Sequence, residues 1–307
     1  MKIRKIILLS MIFIILGIII YVAYLGYKIT NTIEETYRDT ELKQRNDRIP
    51  NTGDKLISVL LLGIEQRGLD DAENIDDPGR SDAILLLLFN TNTGKITALS
   101  IPRDTRVHLQ KEDYAKLTDV YAYGPEVSIT LIEDLLKFPV DYYIAFSEKA
   151  FADFIDMMGG VTIDVKKENA ERMEVIDEGK QRLDGDTTLF YIRFRNDSEG
   201  DFGRMSRLQQ VIDTTMHQAI NIKTFIHLNR YINIVKQNIR HNIPMDSMKK
   251  EAPHLTSCSP DNFEKLSMEG KNVEIDSLWY VIPKFDNLLN IRKKLRLELK
   301  ESKDRHD

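Results

Sequence analysis

The sequence predicts an α/β or α+β domain with a mixed sheet, carried behind one membrane-spanning helix. Three observations predict this. Residues 6–27 form an apolar run without a single charge. Beyond it, short apolar stretches of strand length alternate with stretches whose apolar residues recur every three or four positions. Gly, Asn and Asp clusters punctuate the two patterns. The chain has 307 residues, enough for a sizeable core, and a formal net charge of -5. It is therefore not built as a whole to coat nucleic acid, and any basic site must be local.

The apolar run can cross a hydrocarbon core of roughly 30 Å as a helix. Lys2, Arg4 and Lys5 precede it and Lys28 follows. The positive-inside rule then makes residues 1–5 a cytoplasmic stub and places everything after Lys28 outside the cell membrane. A cleaved signal peptide would have a shorter apolar region and a small-x-small site. Here the run closes on Tyr-Val-Ala-Tyr-Leu-Gly-Tyr, with aromatic residues at interface depth. Residues 28–55 are polar and read as a linker, partly helical over Ile33 to Gln44. Residues 56–307 are the extracytoplasmic domain. Its single cysteine, Cys258, excludes an internal disulfide and a cysteine zinc cluster.

Ile57 to Leu62 and Ala83 to Phe89 are buried-strand runs, separated by an acidic loop over 65–81. NTNTGK is a turn, and Ile96 to Ile101 is a strand paired with the one before it. Val127 to Leu136 is helical by spacing. DYYIAF is a strand, and Ser147 caps a helix through Met158. VTIDV alternates as a half-buried strand. Met205, Leu208, Ile212, Met216 and Ala219 step along one face of a helix. A second helix covers Ile222 to Ile239. Residues 240–272 carry little pattern. Val273 to Ile282 reads as a late strand and Pro283 to Lys300 as a final helix.

Four segments hold the chemistry. GIEQR follows the first strand, GRSD precedes the second, SIPRDTR follows the third, and YIRFRNDSEGDFGRMSR opens the long helix. They gather Arg67, Arg80, Arg103, Arg106, Arg193, Arg195, Arg204 and Arg207. Converging strand ends would bring these to one mouth. Arginine is suited to bidentate contact with phosphate. Carboxylates among arginines can orient guanidinium groups or hold Mg²⁺, and Glu65 and Asp82 stand at strand ends across one loop. A surface salt-bridge mesh would use the same residue types and stabilise little. The chain has no GxxxxGK[ST], HExxH or GxSxG, which leaves Walker-type nucleotide binding, zinc hydrolysis and a nucleophile-elbow serine unsupported.

ISVLLLGIEQR, GRSDAILLLLFN, ALSIPRDTRV, KLTDVYAYG, MGGVTIDV, GKQRLDGDTTLFYIRFR and GDFGRMSRLQQVI occur in that order. Together they resemble the LytR-CpsA-Psr family of bacterial cell-wall proteins, over roughly Ile57 to Asn221. The resemblance implies an α/β/α sandwich with a central mixed sheet and a hydrophobic tunnel. It implies a membrane-anchored, outward-facing phosphotransferase. Such an enzyme takes a glycopolymer, wall teichoic acid or capsule, from an undecaprenyl-pyrophosphate carrier and joins it to peptidoglycan as a phosphodiester, with Mg²⁺ assisting. On that resemblance Arg103, Arg193, Arg195 and Arg204 grip the pyrophosphate and Arg80 and Arg207 support them. Asp82 binds the metal, with Glu65 where the family usually has Asp. Asp82, Arg103 and Arg193 are the expected catalytic set. Thr118 and Pro125 stand where Asn and Gly are usual, and Leu208 stands where Gln is common.

Two rival readings share parts of this pattern. A transcription attenuator that bound DNA would need a basic surface or a helix-turn-helix, and the acidic balance and outward topology oppose it. A lipid-linked glycan carrier without catalysis would share the arginines, and only turnover separates it from an enzyme.

Overall fold

Leu60, Leu62, Leu86 and Leu99 are fully buried on one side of a sheet, while Leu85 and Ala98 are fully buried on the other. That is why the strand runs are continuous rather than alternating: helices cover both faces. The computed structural model describes residues 24–40, 55–65, 79–110, 113–173, 175–195, 200–218 and 228–302. A helix over 24–36 (α1) leads in. Then come β1 (Leu56–Glu65), β2 (Arg80–Asn90), β3 (Lys95–Ser100), β4 (Arg106–Gln110) and β5 (Asp113–Lys116). The short α2 (Leu117–Val120), α3 (Pro125–Leu136), β6 (Tyr142–Ser147) and α4 (Glu148–Met157) follow. Next are β7 (Val161–Val165), α5 (Lys167–Met173), β8 (Gly179–Leu183), α6 (Gly185–Arg193), α7 (Asp201–Gln218) and α8 (Leu228–Asn238). The chain ends with β9 (Ile239–His241), α9 (Met245–Leu255), β10 (Phe263–Ser267), β11 (Gly270–Ile275), β12 (Leu278–Pro283) and α10 (Phe285–Glu301).

The central sheet has the order β10-β3-β2-β1-β6-β9. It is mixed, as expected: β1–β6 and β3–β10 are parallel, and the other pairs are antiparallel. Ile129 and Ile132 of α3 and Ile291 and Leu295 of α10 pack on one face. Ile212 of α7 packs on the other, where Gln209 donates to the carbonyls of Ala98 and Leu266. The helix cap expected at Ser147 is present, its Oγ accepting from the Ala150 amide at 3.0 Å.

Several expectations shift. The helix expected over 33–44 ends at 36, because Tyr37 leaves it to bridge His241 of β9. VTIDV pairs with β8 in a separate ribbon. The late strand is two strands folded at Asp276 and Ser277, whose φ values of 51° and 63° make a two-residue turn without glycine. Residues 240–272, thin in pattern, supply both edge strands of the central sheet. The apolar run is placed only from residue 24 onward; residues 1–23, most of the expected anchor, lie outside the described residues. No described helix is long and apolar enough to cross a membrane.

Candidate active site

β1 and β2 approach closely at Gly63, where a side-chain carbon would sit 2.9 Å from Cβ of Ala83. The register shifts beside it, between Gly63 and Ile64. Pairing resumes at Ile64–Ser81 and Glu65–Arg80, so Asp82 is the residue left without a partner in the ladder, close to Glu65. The two carboxyls are hydrogen-bonded. That bond, then burial, raises the Glu65 pKa. Burial pushes Asp82 upward too, but the bond from Glu65 and the charge and hydrogen bond of Arg103 outweigh it, so Asp82 is held below the ordinary carboxylate range. The two carboxyls are thus driven in opposite directions, Glu65 up and Asp82 down.

Arginines close around this pair. Arg103 Nη1 lies 2.6 Å from Asp82 Oδ1, and the Thr118 hydroxyl donates to the same oxygen at 3.1 Å. Arg204, buried at 5% exposure, donates from Nη1 to the Asp82 carbonyl at 2.7 Å. Arg207 lies one helical turn on, also buried, and donates to the Phe194 carbonyl between the Tyr191 and Phe194 rings. Arg193 ends α6, half exposed and paired with Glu148, and its charge acts on Glu65. Arg80 turns outward to Asp119, at 2.6 Å, although its charge still faces Asp82 and Asp104. Arg195 stands exposed two residues beyond α6. Arg67 lies outside the described residues.

The structure therefore gathers Glu65, Asp82, Arg103 and Arg204 in one cluster, with Arg193 at its rim, Arg207 behind it and Arg80 and Arg195 further out. The sequence reading assigned no role to Asp104, Asp119 and Glu148. Asp104 sits 3.8 Å from Arg103 Nε and 3.2 Å from Lys116 Nζ, so it spaces two cations. Glu148 had no local signal. It arrives because β6 runs parallel to β1, placing Ser147 beside Ile64.

The oxygen donors here suit a hard cation. Glu65 and Asp82 supply two carboxyls, and no described group of three or more His, Cys, Asp or Glu gathers anywhere. Two carboxylates completed by phosphate oxygens and water are what Mg²⁺ accepts.

Known proteins resemble this chain over most of its length. A protein from Bacillus anthracis named polyisoprenyl-teichoic acid–peptidoglycan teichoic acid transferase TagU is 28% identical over 298 residues, covering 94% of this chain and 95% of the relative. The structure titled TagT bound to LI-WTA superposes with a TM-score of 0.68 at 26% identity, covering 84% of this chain and 96% of that one. Another, TagT with bound octaprenyl pyrophosphate lipid, gives 0.64 at 25% identity, covering 84% and 95%. The profile of the LytR_cpsA_psr family matches residues 20–297, and the chain belongs to that family.

Proposed function

We propose that this protein transfers an anionic glycopolymer of the teichoic acid class from a polyprenyl-pyrophosphate carrier to peptidoglycan. The observation that carries this is the convergence of Arg103 and Arg204 on Asp82, beside Glu65, in a chain that spans nearly the whole length of relatives named for that transfer. An acceptor sugar hydroxyl attacks the phosphorus that bears the polymer. The new P–O bond forms a phosphodiester, and the P–O–P bridge breaks to release polyprenyl phosphate. The proton of the hydroxyl passes to the released polyprenyl phosphate or to solvent, which balances the step. Arg103, Arg204 and Arg193 face the charge that develops on the transferring and leaving phosphates. Buried Arg204 and Arg207 are fixed by main-chain carbonyls, so the clamp is ordered before substrate arrives. Glu65 and Asp82 would hold Mg²⁺, which when bound neutralises phosphate charge. Ala83, Phe151, Phe194 and Ile212 form an apolar wall with Leu208, against which the polyprenyl chain would lie. The run at residues 6–27 would anchor the chain in the membrane and hold the domain outside.

The test is transfer by the full chain in detergent, from a polyprenyl-pyrophosphate-linked glycan to peptidoglycan oligomers with Mg²⁺. Arg103→Ala and Asp82→Ala should each lower kcat at least ~100-fold. Tight donor binding without product from the parent protein would mark a carrier and overturn the reading.

A further inference from the structure

Arg106 belongs to the arginine set read from the sequence, yet the cluster around Asp82 leaves it unused. It opens β4, three residues after Arg103. Its guanidinium lies 3.6 Å from the centre of the Tyr114 ring and 5.6 Å from that of Tyr280. Lys116, its cross-strand partner, lies 5.9 Å from the same Tyr280 ring, but Lys116 is already paired with Asp104. Arg106 has no such carboxylate among the described residues, and its buried Nε has no hydrogen-bond acceptor. A buried donor without an acceptor is rare in a folded chain. A guanidinium whose faces are covered by rings still offers its N–H edge for planar, bidentate contact. Tyr114 is half exposed, so the stack is open on one side.

The stack is rigidly joined to the clamp. The Val281 amide of β12 donates to the Asp104 carbonyl at 2.8 Å, and Thr105 bridges Val281. Arg103 and Arg106 are therefore parts of one braced segment whose fully extended span is about 10 Å. An anion at Arg106 would lie a short step along the surface from a phosphate at Arg103.

We propose that the Tyr114–Arg106–Tyr280 stack is a second anion subsite, which takes a phosphodiester of the donor's own polymer chain beyond the pyrophosphate. The inference rests on the transfer reading above. Once the pyrophosphate is held at Arg103, the next anions of the same molecule are presented at high effective concentration. The subsite would select polymers that carry phosphate in the chain over neutral glycans.

The test uses the full chain in detergent and two donors. One is a polyprenyl-pyrophosphate disaccharide, and the other is the same molecule extended by glycerol-phosphate units. Arg106→Gln should raise KM for the extended donor about tenfold and leave the short donor within about twofold. Arg106→Lys, which keeps charge but loses the planar fork, should restore only part of the difference. Equal effects on both donors, or a shift confined to the KM for peptidoglycan, would overturn the subsite. Calorimetry with a free glycerol-phosphate oligomer reads the same contact without turnover. Binding weakened about tenfold by Arg106→Gln supports it, and unchanged binding overturns it. Failure of the parent protein to transfer either donor would strike the transfer reading instead, leaving the calorimetric result to decide the subsite.

Discussion

Glu65 and Asp82 show how two like groups at one place acquire different roles. Hydrogen bonding to Asp82 raises the Glu65 pKa, while Arg103 and Arg193 act to lower it. Removing the Asp82 charge should therefore take away two of the three influences that raise it, leaving burial opposed by the arginines. In Asp82→Asn, the Glu65 side-chain carboxyl signal followed by ¹³C NMR should titrate at lower pH than in the parent. An unchanged midpoint would mean the two carboxyls do not share a proton. The linkage signs are opposite for the pair. Asp82, held below its ordinary 3.8, adds stability that is present above that pH and lost as the pH falls through its folded value. Glu65, raised above 4.5, contributes below that pH and loses the contribution as the pH rises through its folded value. Arg80, Arg103, the two carboxyls and Ser147 were legible in the sequence because each is marked by residue type at or near a strand end, and Arg193, Arg195, Arg204 and Arg207 because they crowd one short segment around the end of α6 and the start of α7. Glu148 and Asp119 were not, because their importance comes from which strand lies beside which.

At the scale of elements, α6 carries Arg193 and is seated by its first residue. Gly185 lies so close to α4 that an added side-chain carbon would sit 2.2 Å from the Ala152 carbonyl oxygen. Its amide also donates to Asp156 at 2.7 Å. Gly185→Ala should push α6 off α4 and move Arg193 away from Glu65. We expect about 1–3 kcal/mol of lost stability by denaturant unfolding, with a drop in transfer rate. A parent-like midpoint with parent-like rate would show that α6 tolerates displacement. The same scale explains what the sequence concealed. Strands β1 to β3 are long, apolar and covered on both faces, so they announced themselves. β9 has three residues, β10 alternates weakly, and α9 buries no side chain and contains Pro253. Their placement is decided by pairing with distant strands, which local pattern does not record.

For the whole molecule, the segment after the apolar run does not hang as a free leash. Thr36 is buried and its hydroxyl lies 3.1 Å from His241 Nε2. The Arg38 amide donates to the His241 carbonyl, Asn242 donates to Thr40, and Lys236 pairs with Glu35 at 2.7 Å. Residues 24–40 are thus docked on the domain. A chain beginning at residue 41 should melt lower than one beginning at residue 24, by about 5–10 °C if the contacts contribute a few kcal/mol. Burial lowers the His241 pKa, so charging it opposes docking. Its contribution is present above pH 6.5, the ordinary value, and fades as the pH falls toward the folded one. The difference between the two chains should accordingly shrink below pH 6.5. Equal melting of both would show that the docked segment adds nothing.

The two outer strands of the central sheet, β9 and β10, come from residues 239–241 and 263–267. During synthesis the chain emerges from its N-terminus, so β1, β2, β3 and β6 are made well before the strands that border them. Until then β3 and β6 present open edges to any neighbouring chain, and the long-range closures make folding slow. The nascent protein stays unfinished until nearly all of it has been released.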